Sequence, residues 1–134
     1  MKKILILIMA LFLLLFLLRT AGCSRLRVGV GGSGKVVYEY NGVSFEDDLS
    51  QEEVDAVIAV LNGKMIDPGL GGVPSCGFGY DIAVVIDGRR FALACDGCGT
   101  VQDFETLGYI HISDAERQVL EQIFTSRGGK FPCV

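Results

Sequence analysis

The chain opens with an uninterrupted apolar segment that separates it into two unlike parts. Residues 4–18 are all apolar; Met1-Lys2-Lys3 precedes them and small residues follow at 20–23. A cationic start, an apolar stretch of this length and small residues behind it are typical of an export signal. We therefore expect residues 1–22 to be a signal peptide and the remainder to fold outside the cytoplasm.

The signal ends at a cysteine. The stretch Thr20-Ala21-Gly22-Cys23 resembles the lipobox of bacterial lipoproteins, in which the cysteine is acylated and becomes the mature N-terminus. We expect Cys23 to be lipidated and to hold the domain on the extracytoplasmic side of a bacterial cell membrane. An uncleaved anchor is the first alternative, although 15 residues span only about 22 Å of a ~30 Å hydrocarbon core. Simple secretion is the second.

The part beyond residue 22 has the composition and size of one small soluble domain. Nine basic side chains stand against sixteen acidic ones there, a formal charge of −7. A surface of this sign repels phosphate backbones, so we expect no nucleic-acid partner.

Residues 23–35 combine Cys23 with a glycine-rich stretch that predicts a flexible tether, leaving 36–134 as a single domain. Gly29, Gly31 and Gly34 fit a dinucleotide pattern, and Lys35 completes a P-loop pattern. Both patterns need a helix directly behind them, whereas a strand-forming sequence follows. We expect no nucleotide and no cofactor.

Two turn pairs, at 41–42 and 87–88, predict β-hairpins. The first register pairs Tyr40 with Val43 and Tyr38 with Phe45. The second pairs Val84 with Phe91. Polarity alternates accordingly, with apolar residues on one face of each hairpin.

Ser50-Gln-Glu-Glu53 and Ser113-Asp-Ala-Glu116 are capping boxes, each followed by an apolar stripe of helical period. The element order ββαβββα predicts an α+β fold in two layers. We expect an antiparallel sheet of about five strands with two amphipathic helices on one face.

Four cysteines remain once Cys23 is assigned to lipid, an even number in an exported domain. Extending the second hairpin brings Cys76 beside the residue after Cys98. This favours Cys76–Cys98 and Cys95–Cys133 disulfides, with Cys76–Cys95 and Cys98–Cys133 as the nearest alternative.

Cys95-Asp-Gly-Cys98 is also a C-x-x-C motif. A redox dithiol normally starts a helix, but glycines follow this one. A four-cysteine zinc site normally has two such pairs, and here there is one. Redox chemistry and zinc binding remain alternatives to structural disulfides, and we expect no metal.

The connection 63–79 is longer than compact domains usually contain without a function. It is the candidate binding loop, and its apolar residues are the candidate contact groups: Met65, Ile66, Leu70, Val73 and Phe78. The alternative is that these residues cover the open face of the sheet.

Several short motifs taken together resemble small exported bacterial lipoproteins that have no known activity. They are the lipobox, Cys76-Gly-Phe78, Cys95-Asp-Gly-Cys98 and Gly128-Gly-Lys-Phe-Pro-Cys133. The resemblance covers most of the domain and implies no catalytic residue.

No arrangement of residues in the sequence predicts catalysis. His111 alternates with two isoleucines and is expected to point away from the core, and Arg89 and Arg90 are expected to be solvated at a hairpin tip. We expect a membrane-tethered, disulfide-stabilised binding module for an envelope or extracellular protein. A thiol-disulfide oxidoreductase using Cys95 and Cys98, and a small inhibitor of an extracellular enzyme, are the alternatives.

Overall fold

The computed structural model describes residues 2–20 and 24–133, along which helices and strands alternate. The elements in chain order are α1 (Lys2–Thr20), β1 (Ser24–Arg25), β2 (Gly34–Tyr40), β3 (Val43–Asp48), α2 (Gln51–Leu61), β4 (Met65–Ile66), β5 (Ile82–Ile86), β6 (Arg89–Leu93), β7 (Thr100–Asp103), β8 (Gly108–His111) and α3 (Asp114–Thr125).

The six longer strands form one antiparallel sheet in the order β3-β2-β5-β6-β7-β8, and β1 pairs with β4 in a separate two-stranded ribbon. The predicted α+β class with an antiparallel sheet is confirmed. The sheet has one strand more than the order ββαβββα contains. That strand is β7, whose four residues were expected to be loop.

Both hairpin registers follow from their turns. Tyr40 faces Val43 and Tyr38 faces Phe45 in the first, while Val84 faces Phe91 in the second. Asn41 and Asp87 adopt φ values of 49° and 50°, and the glycine after each is also left-handed, as a two-residue turn requires.

The two amphipathic helices begin at their predicted caps. Ser50 and Ser113 each accept a hydrogen bond from the backbone of the glutamate three residues on, and that glutamate reaches back to the cap. Satisfying these otherwise free N–H groups fixes where each helix starts.

Both helices pack on the same face of the sheet. Gly34, Val36 and Tyr38 alternate along β2 and therefore share a face. A Cβ on Gly34 would contact Val54 of α2, and the Tyr38 ring lies 6.2 Å from the Phe124 ring of α3. The hydrophobic core thus lies between this face and the helices.

The segment before β2 differs from the tether expected at residues 23–35. Leu26 is 1% exposed and Val28 9%, and both belong to the hydrophobic core. The Leu26 amide donates to the Lys64 carbonyl at 2.8 Å, and its carbonyl accepts from Gly63 at 2.9 Å. Two apolar residues alternating with Arg25 and Arg27 supply an inward face that outweighs the flexibility of the glycines.

Helix α1 contains the apolar segment, and its described side chains are exposed. Across residues 2–20 and 24–133, no helix is both long enough and apolar enough to cross a bilayer. The predicted lipid-attachment residue, Cys23, lies outside the described residues.

Candidate functional site

Two disulfides join the long connection and the C-terminus to the sheet. Cys76 pairs with Cys98 and Cys95 with Cys133, with Cα–Cα distances of 6.2 and 4.8 Å. This is the connectivity that the register of the second hairpin favours. The staples close loops of 22 and 38 residues.

The C-x-x-C motif forms a structured turn and not a dithiol. Cys95 is 4% exposed, and its sulfur and that of Cys98 belong to different disulfides. The Asp96 carboxylate accepts from the Cys98 amide at 3.1 Å, and Gly97 supplies a left-handed φ of 91°. A redox dithiol needs an exposed nucleophilic sulfur that can pair with its neighbour, so this geometry argues against the oxidoreductase alternative.

The same turn and Cys76 bring together side chains of types that bind metals. Sulfur and oxygen atoms of Cys76, Asp96 and Cys98 lie within 4.8 Å of one another. Because the two sulfurs are bonded to each other, neither is a thiolate that could bind zinc. In the oxidised protein the cluster therefore has a structural role, because the disulfide joins the long connection to the turn.

Arg117 of α3 binds this turn through hydrogen bonds, a contact that the sequence did not predict. Its side chain is 7% exposed and its guanidinium donates to the carbonyls of Ala94, at 2.8 Å, and Cys98. Glu121, one helical turn on, balances the charge at 2.7 Å. A lone arginine in a helix gives no sequence signal of such a contact, since its partners are backbone atoms of a distant loop.

The connection that contains the candidate binding loop is fixed at several points. Asp67 and Tyr109 exchange two backbone hydrogen bonds of 2.8 Å, and the Gly77 carbonyl accepts from Cys95 at 2.8 Å. The ring of Phe78 lies 5.7 Å from the ring of Tyr109. At Asp67 the connection therefore pairs with the β8 edge of the sheet, and at Phe78 it lies against the face opposite the helices, where Tyr109 projects.

The five candidate contact groups separate into two sets. Ile66 is 5% exposed and part of the core, and Phe78 is half-buried against Tyr109. Met65, Leu70 and Val73 are 51%, 80% and 71% exposed. Ile66 thus belongs to the core and Phe78 covers part of the open face, and only the other three are placed to contact another molecule.

Leu70 lies at the tip of a tight turn. The Gly72 amide donates to the Gly69 carbonyl at 3.1 Å, and a Cβ on Gly69 would contact the rings or methyls of Tyr109 and Val73. Glycine at position 69, with φ 77°, lets the backbone approach Tyr109 closely while Leu70 projects into solvent.

A polar network lies at the end of the second hairpin, where free solvated arginines were expected. Arg89 binds the fully buried Asp103 with two hydrogen bonds, of 3.0 and 2.5 Å, and Thr106 also donates to that carboxylate. Burial raises the pKa of Asp103, but these donors outweigh it and the net shift is downward. The prediction of a free Arg89 is wrong because the missed strand β7 brings Asp103 beside it.

Arg90 is likewise engaged. It stacks over Tyr80 at 4.0 Å from the ring centroid and donates to the Tyr80 carbonyl at 2.6 Å. With Phe104, whose ring lies 5.3 Å from Tyr80, these side chains line an open depression of about 610 Å³. Because Arg89 and Arg90 already have partners, the depression offers a ligand fewer hydrogen-bond donors than two solvated arginines would.

His111 points away from the core as expected. It is 66% exposed, and its Nε2 lies 3.8 Å from the Asp67 carboxylate. This distance exceeds a hydrogen bond, and the pair is in solvent, so it gives no catalytic dyad.

The fold and its cross-links define a disulfide-stapled α+β domain. Comparison with protein-family models, curated proteins and solved structures finds no match to the chain. The assignment of function therefore depends on the geometry of the site alone.

Proposed function

We propose that this chain is a membrane-attached, extracytoplasmic binding module that contacts a component of the cell envelope through the tip of its stapled connection. The observation that carries the proposal is the pair Leu70 and Val73, which are largely exposed on a segment that is otherwise held to the sheet. Apolar side chains in solvent on a fixed scaffold are typical of a contact surface.

The fixed ends of the connection favour binding. Cys76 is held by its disulfide, and Asp67 is bonded to Tyr109, so the tip between them has little freedom left to lose. A contact segment that is ordered in advance pays less conformational entropy when a partner binds.

The compartment is supported by two features. Two disulfides in a domain of this size are typical of oxidising, extracytoplasmic environments. The apolar helix α1 ends three residues before Cys23 and exposes apolar side chains on all its described faces, which favours an apolar phase around it.

Inhibition of an extracellular enzyme is the alternative function that the same loop geometry allows, since protein inhibitors also present a fixed loop to their enzyme. Thiol-disulfide exchange is disfavoured because its expected nucleophile, Cys95, is buried and bonded to Cys133. The identity of the captured partner separates an inhibitor from an envelope-binding module.

A photo-reactive amino acid at position 70 tests the proposal. In bacteria expressing the full chain, irradiation should cross-link position 70 to an envelope component. The same group at Val119, a 39% exposed apolar residue on α3, is the matched control and should give little product. Equal cross-linking at both positions, or none at position 70, would contradict the proposal.

Polar substitution separates contact from covering. Leu70→Ser with Val73→Ser should abolish the cross-link of a probe at Met65 and leave the melting temperature unchanged, because both side chains are mostly in solvent. Ile66→Ser should instead destabilise the fold by several kcal/mol, on the order of a lost core side chain. A stability loss in the first variant would reassign the tip to covering.

A further inference from the structure

The folded domain begins almost at the membrane attachment point. Ser24 pairs with Ile66 and Arg25 with Met65, so the first described residue after α1 is already part of the β1-β4 ribbon. Leu26 then continues into the core. From Ser24 onward the chain therefore has no free length with which to hold the domain away from the bilayer.

Covalent geometry sets the distance. Four residue steps separate Thr20, the end of α1, from Ser24, and they span at most about 14 Å when fully extended. If Cys23 carries the lipid, a single step of ~3.8 Å remains. On either route the side of the domain that carries β1 and β4 must lie next to the bilayer.

That side exposes apolar residues from three separate segments. Met65 lies in β4, Leu70 at the turn tip, and Leu107 in the β7-β8 turn, where it is 64% exposed. Leu107 directly precedes Gly108, and a Cβ on Gly108 would collide with Ile66 and approach the Asp67 carbonyl. Leu107 therefore neighbours the same ribbon.

Leu107 is an unusual residue for its place. Its φ of 58° is left-handed, a conformation that is unfavourable for a leucine and that a glycine adopts freely. Its side chain gives little packing in return, since most of it is in solvent. An apolar phase outside the domain would supply the missing contact.

Charge on this side is mixed, because the exposed carboxylates of Asp67 and Glu105 lie close in sequence to Met65 and Leu107. Arg25 and Arg27 are exposed, whereas the chain beyond residue 22 has sixteen acidic and nine basic side chains. The acidic run 46–48 lies on β3, at the far edge of the sheet from β8. The acidic run therefore lies away from the ribbon, and Arg25 and Arg27 are exposed groups on and just after it that can bind lipid phosphate.

We propose that these five residues, Arg25, Arg27, Met65, Leu70 and Leu107, form a docking face that rests on an anionic lipid surface. The three apolar side chains enter the boundary between headgroups and acyl chains, and the two arginines contact lipid phosphates. The inference rests on the proposed membrane attachment and names lipid as the envelope component that the tip contacts.

Tryptophan fluorescence tests the docking face, because the chain has no tryptophan of its own. The full chain carrying Leu70→Trp or Leu107→Trp is reconstituted in vesicles of phosphatidylcholine and phosphatidylglycerol with brominated acyl chains. Both probes should shift to the blue and lose roughly half of their emission, since bromine quenches only at acyl depth. Val119→Trp on α3 is the matched control and should keep its emission.

The role of charge is measured in the same system. Replacing phosphatidylglycerol by neutral lipid, or Arg25 and Arg27 by glutamine, should reduce quenching at position 70 by about twofold. Unchanged quenching in both cases would overturn the assignment of the arginines to lipid phosphate.

Failure of the docking face and failure of the proposed function give different results. Flotation of the protein with the vesicles while positions 70 and 107 stay unquenched would overturn the docking face and leave membrane attachment standing. Cross-linking of position 70 to an envelope protein and not to lipid would also overturn it, and the proposed binding function would remain. Failure of the wild-type chain to float would overturn the proposed function itself.

Discussion

Glu53 has two roles at the residue scale. Its carboxylate accepts from the Ser50 amide at 2.9 Å, closing the cap of α2, and from Arg127 behind α3 at 2.7 and 2.8 Å. The hydrogen bonds from Arg127, and then the Ser50 cap, lower the pKa of Glu53 to about 2 against the cost of burial. The pair ties the end of α3 to the start of α2.

Glu53→Gln should therefore change the pH dependence of stability. A lowered pKa means that Glu53 stabilises the fold fully above about pH 4.5 and loses that contribution as the pH falls towards 2. Glutamine keeps the cap but not the ion pair, so we expect a loss of about 1–2 kcal/mol at pH 7 and a flatter profile below pH 4.5. Urea unfolding at several pH values measures both. An unchanged slope below pH 4.5 would contradict the role of Glu53.

A second prediction concerns the side chain of Arg117. Arg117→Met keeps much of the apolar stem but removes the donors to the buried Ala94 carbonyl and the partly buried Cys98 carbonyl. We expect a loss of about 2–4 kcal/mol. Thermal unfolding measures it, and Val119→Met on the exposed side of the same helix is the control. Equal stability of the two variants would show that the turn does not depend on Arg117.

At the scale of elements, the segment 24–35 shows where sequence reasoning stops. The hairpins and capped helices were predictable because their signals are local: a turn pair, a capping box and one period each. Leu26 and Val28 give only two apolar residues of alternation beside four glycines. The hydrogen-bond partners of Leu26 are Gly63 and Lys64, which are nearly 40 positions away in the chain. β7 was missed for a similar reason, since its buried Asp103 is a polar residue whose partner Arg89 is 14 positions away in the chain.

Leu26→Ala tests whether this segment belongs to the domain. A buried leucine replaced by alanine should cost about 2–5 kcal/mol. Val30→Ala, four residues on and 85% exposed, should cost almost nothing. Denaturant unfolding compares the two, and a flexible tether would give no difference between them.

At the scale of the whole molecule, the two disulfides fix the long connection and the C-terminal segment, which lie outside the six-stranded sheet and the helices. The connectivity was predictable because the hairpin register carries Cys76 towards Cys98. The exposure of the loop residues was not predictable, since Ile66 and Leu70 look alike in sequence and differ only in what the fold places over them.

Removing one staple should show its contribution to the fold. Cys95→Ala with Cys133→Ala opens a loop of 38 residues and should cost about 4 kcal/mol in the chain-entropy model. Cys76→Ala with Cys98→Ala opens one of 22 residues and should cost about 3 kcal/mol. The measurement is unfolding of each variant under oxidising conditions. A reductant should lower the stability of the wild type and leave a variant lacking both pairs unchanged.

Lipid attachment and both disulfides are tested together by the intact mass of the protein extracted with detergent from bacterial membranes without reductant. We predict the mass of residues 23–134 with acyl chains on Cys23, less the four hydrogens lost in forming two disulfides. A chain that keeps residues 1–22 without acylation would contradict the lipid attachment. Four free thiols at positions 76, 95, 98 and 133 would contradict the stapled domain at the centre of the proposal.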